Sequence, residues 1–594
     1  MIPEKPLPYP DCWGSTEEYV SSLLEFASTS DRFQMLCGGV HVLDFFTNEP
    51  GLFQQIIPQD WQDYLMRCDP MRLLDVLMRD DLDSPAGEHA AGLPDSLLQY
   101  IKEIRKHSLA RNFQAKRDKL PKMTRLVSVG MKPKKIHEVS NFASYVDRLS
   151  TDVETLTGED VTHFVDFGSG QNYLGRALAS APYNKHIVAV EGREHNITGA
   201  KELDMLAGMA EREKVMRNKK LWQQLLNSKK NGDEVDESTL KRLSNLPKVS
   251  EDYVPDFRPT RDLQAVYKPE DGKGFIRYVS GRLESGDLSD VVTQLEANPD
   301  KASEESKDLR LMAISIHSCG NLSHHGIRSL VMNPRVRAVA IVGCCYNLMT
   351  EKLGPPTYKH PYMRPSLQAL NGRVIRESAK FDPEGFPMSE RLSTYKTDGV
   401  RFNITARMMA CQAPQNWGEE DSDDFFTRHF FRAVLQKIFL DKGVIQKVYH
   451  NGTDDENGEC SPFNMSTNPV IIGSLRKACY KSFHLYVRGA ITKLTTHSDY
   501  HEHCEIIKEK LGDITDEEIA RYESLYRHRK RELSAIWSLM AFSAAVVESL
   551  IVTDRWLFLK QHTDTVKDCW VETVFDFRES PRNLVVVGVK ERGK

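Results

Sequence analysis

No two cysteines in this chain form a C-x-x-C pair, although there are eleven cysteines. They are odd in number, scattered over 594 residues, and lack disulfide-like spacing. That argues against a disulfide framework and for a reducing compartment. The expected location is cytoplasmic or nuclear, not secreted. The first stretch, Met1 to Cys12, is polar and proline-rich and lacks an apolar signal core. A clean membrane-crossing run is missing too. The longest apolar stretch, Ile536 to Val552, is broken by Ser538, Ser543, Glu548 and Ser549. It reads as a buried core helix, and no membrane partner is expected. Charge of one sign is also scarce. The net charge of −5 excludes wholesale nucleic-acid coating but leaves room for a local basic patch. No internal repeat is present.

What remains is the composition of a large globular chain, 40% hydrophobic and 27% charged. Its most informative stretch is His163 to Gly175. An apolar run ends at Asp166, Gly168 and Gly170 follow, and Leu174, Ala177, Leu178 and Ala181 recur at helical spacing. The pattern predicts a strand, a tight glycine turn and a helix start, where a ligand approaches bare backbone. A dinucleotide fingerprint would place glycine where Tyr173 stands, which weakens a nicotinamide reading. The next apolar run, His186 to Val190, ends at Glu191, 21 residues after Gly170. That is the place of a carboxylate that hydrogen-bonds ribose hydroxyls.

Further short apolar runs predict strands at Phe275–Val279, Leu311–Ile316 and Val336–Val342, continuous as in a sheet buried on both faces. A helix is expected around 136–149 and another around 530–552. Strands are expected at Trp556–Leu559 and Leu584–Val589. The organisation is then a helical N-terminal region with a basic connector over 1–125. The first part of an α/β core spans 126–352, with a charged insertion at about 200–272. A second insertion follows over 353–520, its acidic clusters Glu419–Asp421 and Asp454–Glu456 read as exposed loops. The closing helix and strands occupy 521–594. Residues 102–135 carry twelve lysines and arginines against Glu103 and Asp118, either a solvated face or a surface that tracks phosphates.

The Asp166–Gly168–Gly170 turn resembles motif I of class I S-adenosylmethionine methyltransferases. More broadly, the chain resembles the methyltransferase-like protein 25 family, some relatives of which are labelled ribosomal RNA adenine dimethylase domain-containing. The residues that carry this are Met131 to Val139, the turn at 165–170, His317 to Leu322, Val342 to Glu351, Ala410-Cys411-Gln412 and Val546 to Arg555. The resemblance implies an α/β, doubly wound, Rossmann-like class I sheet with an antiparallel last strand, and S-adenosyl-L-methionine as cofactor. Asp166, Gly168, Gly170, Glu191 and Lys135 are the residues expected to bind it. His317, Cys345 and Asn347 are expected to line the acceptor pocket, with His317 a candidate base. His317-Ser318-Cys319-Gly320 stands where adenine amino-methyltransferases carry an Asn/Asp-Pro-Pro-Tyr/Phe-like sequence.

The cysteines after the fourth and fifth strands admit two sharper roles. One is a covalent nucleophile. The other is a zinc site drawn from His317, Cys319, His324, His325, Cys344 and Cys345. Without C-x-x-C spacing, or the Pro-Cys and Thr-Cys contexts of RNA cytosine methyltransferases, they read as pocket walls and no metal is expected. The expected acceptor is RNA, through connector 102–135. A protein substrate, or a degenerate cofactor-binding scaffold, is the alternative.

Overall fold

The computed structural model describes residues 2–48, 51–79, 81–82, 92–114, 120–214, 223, 227, 263–297, 308–353, 381–449 and 465–592. Its centre is a seven-stranded sheet. The strands are β1 (His163–Phe167), β2 (His186–Glu191), β3 (Phe275–Ser280), β4 (Leu311–Cys319), β5 (Val336–Cys344), β6 (Val566–Thr573) and β7 (Leu584–Lys590). Their order across the sheet is β6-β7-β5-β4-β1-β2-β3. β1 to β5 pair in parallel, whereas β7 runs antiparallel to both β5 and β6. The order reverses beside β1, so a crevice opens at the carboxyl ends of β1 and β4.

Alternate residues of each strand sort into two cores, as the twofold side-chain period requires. Phe164, Ile187, Ile276, Met312, Ile314, Val342 and Val587 share one cluster with Val139, Phe142, Val146 and Leu149 of helix α1 (Pro133–Thr157). Val165, Phe167, Val188, Val190, Val339 and Ile341 face the other way. They meet α4 (Leu322–Met332) and the long helix α6 (Lys530–Gln561). Two shorter helices, α2 (Tyr173–Ala179) and α3 (Glu194–Ala207), follow β1 and β2.

α6 is long and apolar enough to cross a membrane, yet 94% of its most apolar window is buried inside the protein. It is a core helix, as its interrupting serines and Glu548 suggested. The expected strand at Trp556–Leu559 is a correction. Those residues are the last turns of α6, and the Trp556 indole donates to the Cys569 carbonyl of β6. A four-residue apolar run does not separate strand from buried helix. β6 itself escaped notice because Lys567, Asp568 and Glu572 interrupt it, as suits an edge strand paired only with β7.

The N-terminal region is helical as expected, with Thr16–Thr29, Gln59–Arg67, Pro70–Met78 and Asp95–His107 as its main helices. It is not a separate body. Tyr19, Leu23, Trp61, Leu77 and Ile101 join one continuous core with α6 and with α5 (Glu419–Asp441) of the second insertion. Glu419, Glu420 and Asp421 form the first turn of α5, not a loop. Carboxylates there oppose the positive end of the helix dipole. The Asp454–Glu456 cluster and most of the 200–272 insertion fall outside the described residues.

Candidate active site

The turn after β1 closes on the strand beside it. Gly168 and Gly170 have φ of 65° and 56°, a region where a side chain is strained. The Gly168 amide donates to the Val190 carbonyl at 3.0 Å, and the Gly170 amide to Glu191 Oε2 at 2.9 Å. Glu191 Oε1 accepts from the Arg193 amide at 2.9 Å and from Asn196 Nδ2 at 3.2 Å. Glu191 therefore fastens the turn to β2 and keeps lone-pair capacity for one more donor. A Cβ placed on Gly170 would meet nothing closer than the Gly168 carbonyl at 4.0 Å, so the space over this glycine is open. Asp166, next to last in β1, is almost fully buried. Burial pushes its carboxyl up to about 8, with Lys135 opposing and Glu191 adding to the rise.

Lys135 lies in the first turn of α1, and its ammonium reaches across to β4. Lys135 Nζ is 2.6 Å from Glu138 Oε2 and 2.6 Å from His317 Nε2, and the last two atoms are 3.0 Å apart. Glu138 is fully buried, and its other oxygen accepts from Ser580 Oγ at 2.8 Å. Burial pulls the Glu138 carboxyl up, but His317 and Lys135 together reverse this and hold it down to about 2. The sequence reading placed Lys135 on the cofactor side and His317 on the acceptor side. The structure brings them into one cluster. Glu138 was missed as a member, although its i,i+3 spacing from Lys135 is a readable signal.

Past β5 the chain turns sharply. Cys345 adopts a left-handed φ of 46° and leads into the short turn Tyr346–Leu348. Its thiol accepts hydrogen bonds from Cys319 at 3.3 Å and Cys344 at 3.7 Å, and Cys319 and Cys344 are 3.3 Å apart. Those hydrogen bonds, with His317 and Arg582 nearby, hold the Cys345 thiol well below its ordinary value. Asn347 accepts from the Cys411 thiol at 3.5 Å. Of the other zinc-ligand candidates, His324 turns away to the Glu384 carbonyl, and burial pulls the His325 imidazole down to about 4. Below this turn the Tyr346 hydroxyl donates to Glu548 of α6 at 2.7 Å. The same carboxylate pairs with Arg111 and Arg582, and Arg582 donates to the Ala410 and Gln412 carbonyls. One buried glutamate thus ties together the N-terminal region, the second insertion and the loop before β7.

All eight residues singled out in the sequence fall at one end of the sheet. Asp166 and Glu191 lie at the carboxyl ends of β1 and β2, Gly168 and Gly170 follow β1, His317 lies near the end of β4, Cys345 and Asn347 follow β5, and Lys135 covers them from α1. The strand order, the antiparallel last hairpin partner and the glycine turn define a class I, Rossmann-like methyltransferase fold. Residues 134–352 match a family model described as a methyltransferase domain. Two curated relatives are each named "Probable methyltransferase-like protein 25". The human protein is 26% identical over 287 residues, 48% of this chain and 38% of its own length. The mouse protein is 26% identical over 281 residues, 47% of this chain and 38% of its own length. Over this segment the chain is similar to proteins of the methyltransferase-like protein 25 family. The matched segment spans well under half the length of those relatives. No solved structure matches the chain.

Proposed function

We propose that this protein is an S-adenosylmethionine-dependent methyltransferase that acts on RNA. The observation that carries the donor is the open glycine turn fastened to Glu191 beside the buried Asp166. S-adenosylmethionine, when bound, supplies a methyl group on a positively charged sulfonium. Gly168 and Gly170 would hold it through bare backbone, and Glu191 would take a ribose hydroxyl with the remaining lone pair. Asp166 gains from a cationic neighbour, because its charged form is opposed by burial and by Glu191. Lys135 is the cation at hand for a carboxylate.

Methyl transfer is an in-line displacement, so the chain contributes chiefly position and orientation. Lys135 and Glu138 both meet the imidazole at Nε2, at 2.6 and 3.0 Å. His317 is then a group held in one orientation beside the acceptor side of the sheet.

The RNA reading rests on the second half of the basic connector. Arg105 is committed to the Leu77 carbonyl, Lys106 covers the Trp13 ring, and Arg111 pairs with Glu548. Residues 115–119 lie outside the described residues. Lys122, Arg125, Lys132 and Lys134 are exposed. The segment that carries them is tied to the motif helix by the Tyr173 hydroxyl, which donates to the Gly130 carbonyl at 3.2 Å. A row of exposed cations at the rim of the site suits a phosphate backbone.

The test is transfer of labelled methyl from S-adenosylmethionine into RNA and protein fractions from cells that lack the protein. Label is expected in RNA, falling with salt and falling at least tenfold when Lys122, Arg125, Lys132 and Lys134 are all changed to Glu. Label confined to the protein fraction would overturn the RNA acceptor. Donor binding with no label in either fraction would favour a scaffold.

A further inference from the structure

We propose that Cys319, Cys344 and Cys345 form a zinc site on the acceptor side of the sheet. The three sulfurs lie 3.3, 3.3 and 3.7 Å apart, and they meet as a possible ligand group among the described residues. Around a tetrahedral zinc with Zn–S bonds of about 2.3 Å, sulfur–sulfur edges are roughly 3.8 Å. The cluster needs to open by only a few tenths of an ångström to take the ion.

The backbone places these thiols together in two ways. Cys319 and Cys344 are paired across β4 and β5, so their side chains lie side by side. Cys345 is the next residue along from Cys344, and in an extended strand it would point to the opposite face. Its left-handed φ of 46° coincides with the return of its thiol to the other two. A non-glycine residue in that region costs about 1–2 kcal/mol, and such residues concentrate at functional sites.

The surroundings suit an anionic metal–thiolate group. Arg555 packs its guanidinium against Gly343, next to Cys344. Arg582 is held close by through Glu548 and the Ala410 and Gln412 carbonyls. Soft thiolates favour zinc over hard cations such as Mg²⁺ or Ca²⁺. Three protein ligands, rather than four, are the donor count of zinc sites that keep one position for water or substrate. The proposal departs from the sequence expectation of pocket walls without metal. It does not rest on methyl transfer, since the ion would bind whether or not the chain is an active transferase.

The experiment uses the full chain, reduced, freed of metal and titrated with Co²⁺ and then Zn²⁺. One equivalent of Co²⁺ should give thiolate charge-transfer absorption, and Zn²⁺ should displace it stoichiometrically. Zinc loading should also protect three thiols from a thiol-specific reagent. Cys345→Ser and Cys319→Ser should each weaken metal binding at least a hundredfold, whereas Cys569→Ser, on the edge strand, should bind as the parent does. Because the unsubstituted chain is read directly, the outcome stands even if a variant fails to fold. Absence of the charge-transfer band, fewer than three protected thiols, or equal loss in Cys569→Ser would overturn the site.

Discussion

Glu138 joins Lys135 to His317 through one carboxylate oxygen. Its carboxylate is buried, and Lys135 and His317 hold it ionised down to about 2 against the pull of burial. A carboxyl with a depressed folded-state pKa stabilises the fold above its unfolded value, and that contribution fades as pH falls through the folded one. Glu138→Gln should therefore lower stability by about 1–3 kcal/mol at pH 7. The gap between parent and variant should narrow steadily from pH 5 towards pH 2 in thermal melts. Asp166 has the opposite sign. Burial raises its carboxyl from 3.8 to about 8, so the stability it gives is complete below pH 3.8 and drains away as pH rises towards 8. Melts of Asp166→Asn should show the variant gaining on the parent across that window, and a gap that does not change with pH would refute the burial. Motif spacing alone located Asp166, Gly168, Gly170 and Glu191, because their placement depends on a local strand–turn–helix. Glu138 lay within a stretch the sequence singled out, yet only the structure joins its carboxylate to Lys135 and His317. The sequence placed Cys319, Cys344 and Cys345 after neighbouring strands, but it did not show that all three thiols meet. Two of them come from different strands, and the third depends on one left-handed residue.

Short apolar runs revealed β1 to β5 and β7, because strands buried on both faces leave little room for polar residues. β6 stayed hidden for the converse reason, and the end of α6 was mistaken for it. The insertions hid the span from Tyr346 to Arg582, although its elements pack as neighbours. Glu548 of α6 is the knot, with Arg111, Arg582 and Tyr346 all on one carboxylate. Removing it leaves two largely buried guanidinium groups without a carboxylate, a change that typically costs about 3–5 kcal/mol. Glu548→Ala should lower denaturant stability by that order, and Glu548→Gln by less. A loss under 1 kcal/mol in Glu548→Ala would show that the knot does not hold the loop after β5.

At the scale of the whole molecule, the sequence reading separated a helical N-terminal region from an α/β core. The structure fuses them, since the N-terminal helices, the second insertion and one face of the sheet share α6. Composition carries no trace of such docking, because an amphipathic helix looks the same whichever surface covers it. Deleting residues 2–110 would strip α6 of the partners that bury Tyr19, Leu23, Trp61 and Ile101. The shortened chain should be insoluble or lack a cooperative melt, and a soluble product with a sharp transition would show the core to be autonomous.

The central claim is that S-adenosylmethionine lies on the glycine turn, and calorimetric titration of the cofactor into the parent chain and Gly170→Ala tests it most directly. The space over Gly170 is open, so alanine there adds only the cost of a left-handed side chain, about 1–2 kcal/mol, and the fold should persist. The parent should bind one equivalent, and Gly170→Ala, still folded by circular dichroism, should bind at least tenfold more weakly. Equal affinity in the two proteins, or no binding by the parent, would contradict the assignment.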